Sequence, residues 1–148
     1  MATDIVTLKS TIKTTLEAIV EDGGSTKKIK IVYNYPESNP TGYPYAWIDY
    51  RGDESTPHTN VDDLVNYTFE VNLIQEKIED LKGRENAEAT AEAMSYALNE
   101  AFRAINKLST ADVIRVSPIS TEKSYVDNNT RIMLKVVLVI QTKETISL

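Results

Sequence analysis

Few side chains in this 148-residue chain could do chemistry, and most of them fall between Asp53 and Asp63. His58 is the single histidine, and histidine is the side chain whose ordinary pKa suits a general base near neutral pH. Such a base needs an orienting group and a nucleophile within reach, and nothing near His58 supplies either. It reads as a solvated loop residue. Asp53, Glu54, Asp62 and Asp63 surround it and could meet around Ca²⁺. A helix-loop-helix calcium site, however, needs alternating oxygen ligands and a central glycine, and this spacing has neither. The chain has no cysteine, which removes disulfides, thiolate metal sites and a cysteine nucleophile together. The expectation is a protein that is not an enzyme, with no catalytic residue, metal ligand or cofactor.

Two other groupings carry physical meaning. Tyr33, Tyr35, Tyr43, Tyr45, Trp47 and Tyr50 lie close together in sequence. Such a cluster can stack bases or sugars, but stacking platforms for nucleic acid come with a basic groove. Without one, packing along the rim of a sheet is the better reading. The second grouping is acidic. Of a net charge of -6, residues 52–109 hold 12 acidic against 5 basic side chains. This includes Glu88 and Glu92, one helical turn apart. A surface of that sign repels a phosphate backbone and offers no footprint for specific DNA binding. It is either an ordinary solvated face or a negative wall past which a polyanion slides.

These residues must be positioned by a strand that runs into a helix. Val65, Tyr67, Phe69, Val71 and Leu73 alternate with Asn66, Thr68, Glu70 and Asn72, the period of a half-buried strand. From Ala87 the period changes. Ala87, Ala91, Met94, Leu98, Phe102 and Ile105 form one helical stripe, with Glu85, Glu88, Glu92, Asn99 and Arg103 on the wet side. Before this unit, Ile5, Leu8, Ile12, Leu16 and Ile19 predict a helix, capped by Thr3 or Asp4 and stopped by Gly23-Gly24. Lys28–Tyr33 predicts a short strand with Ile29, Ile31 and Tyr33 on one face. Tyr45–Arg51 predicts another. Gly52–Leu64 is polar and broken by Pro57, and it reads as a long, mobile hairpin loop. After the second helix, Val113–Ile119 predicts a strand bent at Pro118. Asp127-Asn128-Asn129 predicts a turn. Arg131–Gln141 predicts a strand apolar on both faces.

The predicted order is α-β-β-β-α-β-β. Two helices can cover one face of a sheet, so the expected fold is a single-domain (residues 1–148), two-layer α+β domain. Its sheet has four to five strands, mixed or antiparallel. The other face is left to water or a partner, and Val137 and Val139, with Tyr45 and Trp47, are the candidate interface residues. If the acidic segment lines a passage, Asp53, Glu54, Asp62, Asp63, Glu88 and Glu92 are the candidate lining residues. No apolar run approaches the roughly 20 residues of a membrane span, and the N-terminus does not read as a signal peptide.

This order of elements, with Tyr43-Pro44-Tyr45-Ala46-Trp47, the strand Tyr67–Leu73 ending in Gln75, and Gly83-Arg84 opening an Ala/Glu-rich helix, resembles the tail terminator proteins of long-tailed bacteriophages. The resemblance implies a ring, generally of six copies, that caps the tail tube, ends its polymerisation and meets the head connector. Its partners would be itself, the tail tube protein and the head connector protein, with DNA passing through non-specifically. Its place would be the virion, after assembly in the host cytoplasm. The residues alone leave two alternatives open: a related neck or head-completion protein, and a stand-alone α+β binding or adaptor domain.

Overall fold

The computed structural model describes residues 5–19, 28–37, 39–57, 62–78, 81–104 and 113–145. Helix α1 spans Ile5–Glu17 and α2 spans Leu81–Ala104; the strands are β1 (Ile31–Tyr33), β2 (Tyr45–Pro57), β3 (Asp62–Ile74), β4 (Val113–Val126) and β5 (Arg131–Thr145). They form one sheet in the order β1-β2-β3-β5-β4. Only the β1–β2 pair is parallel, so the sheet is mixed. The fold is α+β, in the predicted order of elements. Among the described residues no helix is long and apolar enough to cross a membrane.

The core lies between the sheet and both helices. The alternation in β3 buries Val65, Tyr67, Phe69, Val71 and Leu73 on one face, and Ile132, Leu134, Val136, Leu138 and Ile140 of β5 join them. The helices bring Leu8, Ile12 and Leu16 from α1 and Ala91, Met94, Leu98 and Phe102 from α2. Each stripe recurs at three- and four-residue steps, so each helix turns a single dry side to the sheet. The predicted cap at Thr3 or Asp4, the Gly23-Gly24 stop, His58 and Ile105 lie outside the described residues.

Three expectations are corrected. Gly52–Leu64 is not a long loop: β2 runs on to Pro57 and β3 begins at Asp62, with Gly52 to Pro57 registered against Thr68 to Asp63. Ladder hydrogen bonds come from the backbone, so a polar, acidic stretch can extend a hairpin without any apolar period. The strand crosses this stretch through a bulge between Tyr50 and Gly52, where Gly52 takes φ +132°. That conformation suits a residue without a Cβ. In β1, Val32 is buried while Ile31 and Tyr33 are half-buried, the reverse of the expected phase. Residues 28–30 form a bend, so Ile29 reaches the core before the strand begins and the alternation restarts one residue later.

The wet side of α2 is also narrower than predicted. The Glu88 carboxylate accepts from Lys123 Nζ and from the Tyr125 hydroxyl. Asn99 Nδ2 donates to Thr121 Oγ1 at 3.1 Å. Both helix residues are half-buried, because the edge strand β4 rises beside the helix and captures them. At the other end of the β4–β5 hairpin, Asp127, Asn128 and Asn129 take φ of 53°, 57° and 64°. Asp and Asn tolerate that region, so the predicted turn forms where expected.

Candidate functional site

The sheet face turned away from the helices is where an external partner could bind, and its chemistry differs along its length. At the end nearest the Asp127 turn the chain covers itself. Tyr45 stacks on Trp47 at 5.7 Å between ring centroids and meets Tyr43 edge-on at 5.2 Å and Tyr33 at 6.1 Å. The Arg131 guanidinium lies 3.7 Å from the Tyr43 ring centroid. It donates to the Gln75 carbonyl at 3.0 Å and pairs with Asp127 at 3.4 Å. Under this cover Tyr45 is 6% exposed and Asn72, which faces away from the helices, 4%. The aromatic cluster is therefore sheet packing, and Tyr45 is corrected from an interface candidate to a residue sealed by its own neighbours. Trp47 stays half-buried.

The middle of this face is polar rather than apolar. Glu70 pairs with Arg51 Nε at 3.2 Å and with Lys135 Nζ at 3.5 Å, spanning three strands. Val137, half-buried, stands in register between Glu70 and Ser120. The spare apolar area expected from Val137 and Val139 is thus broken up by ion pairs and hydroxyls.

Beyond that lattice the face opens into a trough of about 610 Å³. Two cross-strand rows build its floor. Glu54, Asn66, Gln141 and Arg115 are in register, as are Gly52, Thr68, Val139 and Ser117. Gln141 Nε2 donates to Asn66 Oδ1 at 3.1 Å, which fixes the amide pair in the floor. The β4 irregularity between Pro118 and Ser120 leaves Ile119 as an extra residue, 61% exposed at the rim. The bulge in β2 places Arg51 at the opposite wall. Pattern reading missed this trough because both bulges shift the facing of polar residues that carry no hydrophobic period.

The acidic candidates do not form one surface. Asp53 sits on the helix-side face opposite Tyr67 and accepts from the Tyr50 hydroxyl at 2.8 Å. Glu54 faces the trough, and Asp63 is half-buried in β3. Asp62 lies in β3, in register with Thr145. Glu88 is tied to Lys123 and Tyr125, and Glu92 is exposed on α2. The row of Asp53 reaches β4 at Val116. The hairpin acids are thus some three strands and six ladder positions from Lys123, roughly 14 Å across and 20 Å along the sheet. Among the described residues no three of His, Cys, Asp and Glu gather as a metal site would require.

Tyr67 makes one further bond at this corner, donating to Glu144 Oε1 at 2.8 Å. Burial first, then that hydrogen bond and the nearby carboxylate charge, push its pKa well above the ordinary value. The folded state therefore keeps a proton that the unfolded chain gives up near pH 10. Stability from this bond is fully present below about pH 10 and falls as pH rises above it. Tyr67→Phe is expected to cost about 1 kcal/mol at pH 8 and to flatten the loss of stability between about pH 10 and 11.5, read by urea unfolding at each pH. An unchanged alkaline slope would place the titration elsewhere.

These elements define a two-layer α+β domain with one helical layer and a polar, partly self-covered open face. No family model and no curated protein matches the sequence. Among solved structures, the fold is similar to a chain in one titled "Virion of native gene transfer agent (GTA) particle". The two share a TM-score of 0.67 and 13% identity, over 93% of this chain and 95% of that one. At that identity the likeness is one of fold.

Proposed function

We propose that this protein is a structural component of a phage-like virion, acting as a non-catalytic tail terminator. Copies join as a ring, six on the resemblance in sequence pattern, that caps the tail tube, ends its growth and meets the head connector. DNA passes through the centre without sequence-specific contact. The observation that carries this reading is the likeness in fold, nearly end to end, to a chain of a gene transfer agent virion. The open sheet face leaves a surface for contact between subunits, because the helices cover only the other face and the trough is wide enough to take a helix. The candidates to face the passage are exposed Asp53, with Asp62 and Asp63 of the β2–β3 hairpin.

The test is electron microscopy of the purified protein, alone and with polymerising tail tube protein. Rings are expected at tube ends, and tubes should stop growing once capped, so that added protein shortens the length distribution. Tubes of unchanged length with bare ends would overturn the reading.

A further inference from the structure

The trough and the outer face of α2 complement each other, and every subunit carries both. Four strands make the trough floor, roughly 14 Å across at about 4.8 Å per strand, and a helix with its side chains is about 10–12 Å wide. At its rim Arg115 is exposed, with no partner among the described residues, and Ile119 projects beside Val139. On α2, three- and four-residue steps put Glu85, Ala89, Glu92 and Tyr96 in one exposed stripe, and Glu100 lies one turn beyond. Tyr96 is 70% exposed, an unusual setting for a large ring flanked by the small Ala89 and Ala93. The helix thus offers carboxylates and a projecting aromatic, and the β4 side of the trough offers a guanidinium and an apolar rim, with the acidic Asp53 and Glu54 apart from it on β2.

We propose that a second copy of this chain seats the outer face of α2 in the trough of its neighbour, with Glu92 turned toward Arg115 and Tyr96 against Ile119 and Val139. The inference rests on the ring reading above and assigns its contact. Trough and helix face lie on opposite layers of one subunit, so the contact is heterologous. It repeats head to tail and closes into a ring when the rotation allows.

Charge reversal tests it. Arg115→Glu and Glu92→Lys alter exposed side chains and should leave circular dichroism and melting temperature unchanged. Each alone should weaken self-association about tenfold or more, in light scattering and on tail tubes, because like charges then meet at every contact. An equimolar mixture of the two should recover assembly, since each junction in an alternating ring again pairs opposite charges. If either variant assembles like wild type, or the mixture fails to recover, the contact lies elsewhere and this inference falls while the ring reading stands. If Arg115→Glu assembles normally but no longer binds tubes, the trough holds the tube protein and the inference also falls. Wild-type protein that associates neither in solution nor on tubes would overturn both.

Discussion

Phe69→Ala is expected to lower stability by about 3–5 kcal/mol, the range for emptying a fully buried aromatic site. Phe69 sits in the central strand β3, fully buried, in register with Tyr50 and Leu138 and 5.6 Å from the Tyr50 ring. It lies at the junction of sheet and helical layer, where neighbours on adjacent strands are held by their own ladders and cannot collapse into the gap. Val139→Ala provides the contrast. Val139 faces the other way, half-buried in the trough, so its truncation should cost less than about 1 kcal/mol. Denaturant unfolding of the two variants checks the architecture directly. Equal losses would mean that both sheet faces are packed core.

The second large effect is expected at Arg131. Its guanidinium covers the Tyr43 ring, donates to the Gln75 carbonyl and pairs with Asp127, all at one end of the sheet. A charged hydrogen bond contributes about 1.5–3 kcal/mol and a desolvated cation–aromatic contact about 0.5–2, and the two are not independent. Arg131→Ala should therefore cost about 2–3 kcal/mol. Arg131→Lys should recover little of it, because an ammonium lacks the planar fork with which a guanidinium lies flat on a ring while donating to a carbonyl. Arg51→Ala is the control. Its ion pairs are at the surface, where such pairs contribute less than about 1 kcal/mol. Thermal melts at matched salt separate the cases, and full rescue by lysine would show that charge alone matters at this site.

The parts of the fold whose signal is local are legible in the residue pattern. The dry face of β3 follows from strict alternation, the buried side of α2 from helical spacing, and the Asp127–Asn129 turn from residues that accept positive φ. The order of elements then required one covered sheet face, since two amphipathic helices have nothing else to cover. Where backbone pairing continues without side-chain pattern is visible in the folded sheet alone. The acidic segment after Gly52 carries no apolar period, yet β2 and β3 stay paired through it because ladder bonds ignore side-chain polarity. The same holds for the open face. Tyr45 and Val137 read alike as outward residues, but one lies beneath Tyr33, Tyr43 and Trp47 and the other stands beside Glu70. Periodicity places Glu88 and Asn99 on the wet side of α2, but β4 holds both. Periodicity tells which side a residue faces, whereas what covers that side depends on chain far away in sequence.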